Sequence, residues 1–151
     1  MGARLAGKLG LGLQSLNPEL LAPYVEGLEE AGRDPAEARM SQAVEFFLTD
    51  DPERAWAAIE PHVVHRWESY NRYMFEGTSR ESRSAEYFDM ATVTDRIMIG
   101  TAEQVATSIR GRVGDLPVTD LYAWSDYPGL PDDLVDQHIR LTFEELAPRL
   151  R

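Results

Sequence analysis

The sequence predicts an α/β fold built on a parallel β-sheet. Strand-like runs at residues 11–15, 40–48 and 118–124 are each followed by a helical pattern. Strands that alternate with helices in this way form parallel sheets. Two of the helices also open with an Asx-Pro sequence, which is typical of a helix start. The three strand–helix repeats and these start signals together predict the fold class.

The first repeat begins with a helical stretch at residues 3–9, followed by the strand at 11–15. Asn17 is predicted to cap the next helix, with Pro18 in its first turn. Apolar residues then recur at helical spacing as far as Leu28. Gly32 is predicted to end this helix.

The second repeat holds the strongest strand candidate, residues 40–48, with Val44, Phe46 and Leu48 on one face. A long helix follows at an Asp-Pro start. We expect Pro61 to kink or break it, because proline removes a backbone hydrogen bond and crowds the preceding turn. Residues 77–92, rich in serine, arginine and glutamate, are predicted to form a mobile loop.

The third repeat follows a short apolar run at residues 97–100. Thr101 and Gln104 have the spacing of a capping box and predict a helix that runs to about residue 113. After the strand at 118–124 and a polar loop at 125–130, Pro131 is predicted to open the last amphipathic helix.

Composition excludes several classes of protein. The formal net charge is -11, which argues against nucleic-acid or anionic-membrane partners, since both need a basic face. There are no cysteines, so disulfides, thiolate metal sites and cysteine nucleophiles are excluded. The apolar runs are far shorter than about 18 residues, so no membrane span is predicted. With no signal-like start, a cytoplasmic location is predicted.

The chain is too short for a complete barrel of strand–helix units. A complete (β/α)8 TIM barrel needs about 250 residues, whereas this chain has 151 and holds roughly three βα units. Its first residues read as the middle of an α/β pattern. We therefore expect residues 1–151 to form the C-terminal part of a TIM-barrel domain, with a helical insertion.

Four segments resemble the bacterial-luciferase-like monooxygenase family. Residues 3–13 resemble its "A-x-x-A-x-x-x-G-x-G" passage, and residues 30–35 match its "EAGRDP" turn. Residues 99–106 resemble its "GTPEQVA" helix start, with Ala102 where proline is usual, and residues 146–151 resemble its closing "V-P-x-L-R". The four segments occur in family order and span nearly the whole chain.

The resemblance implies a (β/α)8 barrel that binds flavin mononucleotide (FMN) or a deazaflavin and oxidises a small organic substrate. It places the strands of this chain sixth, seventh and eighth in that barrel. In the family, a turn before the first helix helps to hold the cofactor phosphate, and this implies that Gly2, Ala3 and Arg4 contribute to cofactor binding. A helix N-terminus suits an anion because its N–H groups and partial positive charge point outwards.

The C-terminal ends of barrel strands predict where substrate lies. Trp124 and Tyr127 are therefore predicted to wall the substrate pocket; the alternative is that they cap the core or sit in a solvent loop. For Gln14 and Ser15 we favour a simple turn that leads to the Asn17 cap. No catalytic residue can be named from the sequence.

Two other patterns have structural explanations that we favour. His62 and His65 have the spacing of a metal pair, but no third ligand of suitable spacing is present, so we predict a helix surface and no metal site. A stripe of aromatic residues on the same helix more often marks a core or a subunit contact than a substrate channel. It comprises Trp56, Trp67, Tyr70 and Tyr73.

We thus expect an oxidoreductase whose chemistry belongs largely to its cofactor. The alternative is a catalytically silent partial barrel that acts as a structural partner. It would pair with a missing N-terminal half or form a homo-oligomer that covers its open sheet edges. A truncated product with no role of its own is a third, weaker possibility.

Overall fold

The computed structural model describes residues 2–78, 97–124 and 127–150. Strands and helices alternate along the chain and every strand pairing is parallel, which confirms the predicted α/β class. In chain order the elements are α1 (Gly2–Lys8), β1 (Leu13–Gln14), α2 (Leu21–Glu30), β2 (Met40–Leu48), α3 (Pro52–Phe75), β3 (Ile97–Gly100), α4 (Ala102–Val113), β4 (Val118–Ala123), α5 (Asp132–Leu141) and α6 (Ala147–Arg149). A π-helical turn, Thr142–Leu146, joins α5 to α6.

The chain divides into two compact units. Unit 1 comprises residues 1–44 and 109–123, and unit 2 comprises residues 45–108 and 124–151. In unit 1, the start of β2 pairs with β1 and with β4. In unit 2, the last four residues of β2 pair with β3. Strand β2 therefore contributes hydrogen bonds to both units.

Strand β1 is shorter than predicted. It spans Leu13–Gln14 rather than residues 11–15. The N–H of Leu11 instead donates to the carbonyl of Ala6, and that of Gly10 to Gly7, which ends α1 in a Schellman motif. Gly10 takes φ +65°, as this motif requires. The helix-ending hydrogen bonds thus remove Leu11 from the strand.

Helices α1 and α2 pack closely at two glycines. A Cβ on Gly27 would overlap the carbonyl oxygen of Arg4, and one on Gly7 would overlap that of Tyr24. Ala3, Tyr24 and Leu28 form the buried centre of this helix pair. The close approach of the two backbones explains why glycine occupies both positions.

Helix α3 is continuous from Pro52 to Phe75. Of the predicted kink or break at Pro61, the break is therefore wrong. Ile59 and Val63 on either side of Pro61 are fully buried. They pack with Phe47 and Ile97 of the strands in the core of unit 2. Burial of two large side chains outweighs the loss of one helical hydrogen bond.

The predicted helix starts are confirmed where capping groups occur. The N–H of Gln104 donates to Thr101 Oγ1 at 3.3 Å, and that of Thr101 donates to Gln104 Oε1 at 2.9 Å, which completes the capping box of α4. The loop predicted at residues 77–92 lies almost entirely outside the described residues. None of the helices within the described part of the chain has the length and apolarity needed to span a membrane.

Candidate functional site

The first turn of α1 holds the three residues predicted to bind the cofactor. Gly2 is exposed, and a Cβ built on it would meet no atom within 4 Å. Ala3 is buried against α2, and the Arg4 guanidinium pairs with Glu30. The side chains of Ala3 and Arg4 therefore contribute to the packing and ion pairing between α1 and α2. What this turn offers a ligand is backbone N–H groups in open space at Gly2, since the first N–H groups of a helix have no acceptor within it.

The carboxyl end of β1 leads into a fixed turn. Ser15 Oγ accepts a hydrogen bond of 3.1 Å from the N–H of Asn17, and Asn17 Oδ1 accepts one of 3.0 Å from the N–H of Glu19. The predicted turn and the Asn17 cap are both confirmed. This turn carries the chain away from β2 immediately after Gln14.

One polar contact crosses the sheet of unit 1. Gln14 Nε2 of β1 donates to the hydroxyl of Tyr122 on β4. In the strand register, Gln14 lies beside Ser41 and Tyr122 lies beside Ala43. These two β2 residues are small, so the long side chains can meet above them. Tyr122 keeps 43% of its surface exposed.

A cleft of about 410 Å³ opens in unit 1 where the chain turns away from β2. Its walls come from the turn after β1, the middle of β2 and the end of α4. The described residues that line it are Ser15, Leu16, Asn17, Gln42, Ala43, Val44 and Arg112. The volume falls within the range of small-molecule sites, roughly 300–1,000 Å³.

The two residues predicted to wall the substrate pocket have opposite environments. Trp124 is 54% exposed, whereas Tyr127 is 2% exposed and belongs to the hydrophobic core of unit 2. Tyr127 is thus part of the core. Trp124 lies on the surface, available for contact. Substrate binding by either residue stays a prediction.

Tyr127 is held by a charged pair that the sequence did not reveal. The Arg66 guanidinium lies over its ring, 4.6 Å from the centroid, and pairs with Glu45. Burial raises the pKa of Tyr127 to about 12; Arg66 opposes this increase and Glu45 adds to it. The hydroxyl therefore stays protonated at neutral pH.

His138 is a buried polar residue of unit 2. Its Nδ1 accepts a hydrogen bond of 3.1 Å from the N–H of Leu48, and its ring stacks on Phe47 at 4.9 Å and 5°. Burial lowers its pKa to about 4. Since Nδ1 is an acceptor, the neutral ring carries its proton on Nε2.

The two histidines of α3, His62 and His65, have different surroundings. His62 Nδ1 lies 3.0 Å from the carbonyl oxygen of Pro128, which can only accept, so this nitrogen is the donor. His65 is exposed. Among residues 2–78, 97–124 and 127–150, no three histidine, aspartate or glutamate side chains are grouped to hold a metal ion.

The aromatic stripe on α3 divides along the helix. Trp56 is buried in the core of unit 2 and Trp67 packs against it. Tyr70 and Tyr73 are 55% and 83% exposed. The first half of the stripe is thus core, as favoured from the sequence, and the second half is surface.

The family model for luciferase-like monooxygenases matches residues 1–119. The closing segment at residues 146–151 lies beyond the match. A search of curated protein sequences gives no match.

Solved structures share the fold at low sequence identity. The monooxygenase RslO1 from Streptomyces bottropensis is 22% identical, with a TM-score of 0.67. An F420-dependent secondary alcohol dehydrogenase, solved with an F420-acetone adduct, is 21% identical with a TM-score of 0.62. The oxygenating component of 3,6-diketocamphane monooxygenase from Pseudomonas putida, solved with FMN, is 16% identical with a TM-score of 0.56. Each comparison covers 99% of this chain but only 45–46% of the other protein.

Proposed function

Because this chain belongs to the luciferase-like monooxygenase family, we propose that it is part of an oxidoreductase that uses FMN or a deazaflavin and acts on a small organic substrate. The family match over residues 1–119 is the observation that carries this proposal. It is supported by two structural neighbours, one bound to FMN and one to an F420 adduct.

We propose further that residues 1–151 are the C-terminal part of a (β/α)8 barrel. The chain spans about 45% of the length of its neighbours, and β1, β2 and β4 are parallel, as consecutive barrel strands would be. The other strands would come from a longer protein or from a partner chain. We expect the assembly to reside in the cytoplasm.

The backbone at Gly2, Ala3 and Arg4 is our proposed contact for the cofactor phosphate. The open space at Gly2 and the outward N–H groups of the first turn fit an anionic group. The bound cofactor would supply the electron-transfer chemistry. Trp124 would contact the substrate, and Tyr127 would support that pocket from the core. This division of roles follows from their different exposure.

A fluorescence titration with FMN and F420, carried out on the complete barrel in which this chain is joined by the remaining strands, tests the cofactor and its contact together. We expect saturable binding of at least one cofactor and an increase in the melting temperature of the protein. Gly2→Asp places a carboxylate at the phosphate contact and should weaken binding about tenfold, whereas the neutral Gly2→Ser should not. Both variants should fold, because the space at Gly2 is open and an acidic residue suits a helix N-terminus.

The outcomes distinguish the proposal that a cofactor binds from the assignment of Gly2 to the phosphate contact. If neither cofactor binds, the cofactor proposal is wrong. If a cofactor binds equally well to the Asp and Ser variants, only the assignment of Gly2 is wrong. Riboflavin, which has no phosphate, is the control ligand and should bind both variants alike. Neither the family match nor the structural neighbours favour the catalytically silent partner.

A further inference from the structure

We propose that the cleft of unit 1 is a binding site for a small neutral amide with an apolar body. The cleft exists because β1 pairs only with Met40 and Ser41 of β2. The next β2 residues therefore border open space on the side where β1 has ended. The described residues that line it all belong to unit 1, and none takes part in the proposed cofactor contact.

The charges around the cleft favour a neutral ligand. None of the described residues that line it is acidic, so it offers no counter-charge to a cation. The one basic residue among them, Arg112, already has an interaction partner in the structure and is not needed for this site. The formal net charge of the chain is -11, and a field of this sign disfavours anions. A ligand without charge avoids both penalties.

The turn after β1 supplies hydrogen-bond donors. Asn17 Oδ1 is occupied by the N–H of Glu19 at 3.0 Å, which leaves the two hydrogens of Nδ2 to donate. Ser15 Oγ accepts from the N–H of Asn17 at 3.1 Å, so its hydroxyl proton remains to donate as well. Pro18 restricts Asn17 to extended backbone, with φ -76° and ψ 114°. These donors are thus held in place before a ligand arrives, which lowers the entropy cost of binding.

Strand β2 supplies the complementary group. Gln42 is half-buried and lines the cleft. Within the described ranges no hydrogen bond engages its side chain, so its amide offers an acceptor at Oε1 and donors at Nε2. A carboxamide matches this set of groups. Its carbonyl oxygen accepts from the turn, and its N–H donates to Gln42 Oε1, whereas a ketone or an ester has no N–H to give.

The remaining walls define the rest of the ligand. Leu16, Ala43 and Val44 contribute apolar surface beside the polar groups. The cleft volume of about 410 Å³ leaves room for a short aliphatic chain or one aromatic ring beside the amide. Benzamide has both parts and is therefore a suitable probe.

Titration of the 151-residue chain with benzamide, followed by amide chemical shifts, tests the site without any cofactor. We expect saturable shifts in the signals of Ser15, Asn17 and Gln42. N,N-Dimethylbenzamide keeps the carbonyl but has no N–H, so it should bind about fivefold more weakly, as the loss of one hydrogen bond implies. Benzoate has the same ring, a negative charge and no N–H, and it should also bind more weakly than benzamide.

Asn17→Asp removes the donors of the turn and keeps its structure. Aspartate retains an oxygen for the N–H of Glu19 and is an equally good helix cap, but a second carboxylate oxygen replaces Nδ2. Benzamide binding should weaken about tenfold. Gln104→Glu is the matched control, because it makes the same change from amide to carboxylate at a capping residue outside the cleft. It should bind benzamide as the wild type does.

Gln42→Met tests the second contact independently. Methionine has a similar size but no amide, so this variant should bind benzamide and N,N-dimethylbenzamide with equal affinity. Amide spectra show whether each variant is folded, and if one fails to fold the other still decides. The proposal is overturned if benzamide gives no saturable shifts, if N,N-dimethylbenzamide or benzoate binds the wild type as tightly, if Asn17→Asp binds benzamide as well as Gln104→Glu does, or if Gln42→Met discriminates between the two amides as the wild type does.

Discussion

His138 makes the stability of this protein depend on pH in a calculable way. Its pKa is lowered from 6.5 to about 4 by burial, so the folded state resists protonation that the unfolded chain accepts. Stability therefore falls as pH drops from about 6.5 towards 4. These two pKa values correspond to a loss of about 2 kcal/mol at pH 5 and about 3 kcal/mol at pH 4.

The variant His138→Asn separates this effect from the titration of other groups. Asparagine places an amide oxygen near the position of Nδ1, so the N–H of Leu48 keeps an acceptor. It has no group that titrates in this range, and it should cost roughly 1–2 kcal/mol at pH 7, because the stacking on Phe47 is lost.

Urea denaturation followed by tryptophan fluorescence measures the free energy of unfolding at pH 7 and pH 5. Carboxyl groups titrate equally in wild type and variant, so their contribution cancels in the comparison. We expect wild type to lose about 2 kcal/mol more than His138→Asn between these pH values. The exposed His65→Asn should behave as wild type. Equal losses in wild type and His138→Asn would refute the reasoning.

Three further predictions concern glycines and one charged pair, each measured as a change in urea midpoint. Gly32→Ala should destabilise by about 1 kcal/mol because φ is +70° there. Gly111→Ala, inside a helix with open space around it, should instead stabilise by about 0.5–1 kcal/mol. A change of the same sign in Gly32→Ala and Gly111→Ala would contradict this argument from backbone conformation. Gly27→Ala should cost about 1–3 kcal/mol by forcing the first two helices apart; a neutral effect would show that they do not cross closely. Glu45→Gln should cost about 1–3 kcal/mol because it leaves a largely buried guanidinium unpaired. The exposed Glu103→Gln should cost under about 1 kcal/mol, and equal costs would contradict the role of burial.

Local signals in the sequence predicted local structure well. The Asn17 cap and the Thr101–Gln104 box rest on hydrogen bonds between residues two or three positions apart, so the sequence contains everything they need. Strand β2 was predicted with its correct ends, because its apolar run is bounded by turn residues on both sides. Family membership was also found from short segments.

Contacts between distant segments could not be predicted. Tyr127 follows a strand end, which suggested a pocket, but it packs against an arginine more than sixty positions earlier. The acceptor that His138 provides for Leu48 is likewise set by which helix lies beside the end of β2. The break predicted at Pro61 was wrong because the sequence shows the lost hydrogen bond but not the buried neighbours that stabilise the helix.

Cofactor binding is the most direct test of the central claim, that this chain is part of a flavin- or deazaflavin-dependent oxidoreductase. The measurement is the equilibrium titration with FMN and with F420, followed by cofactor fluorescence, of the complete barrel in which this chain is joined by the remaining strands. Saturable binding of one of them, weakened by Gly2→Asp and not by Gly2→Ser, is the predicted result. Fluorescence that stays unchanged with both cofactors over the whole titration would contradict the claim.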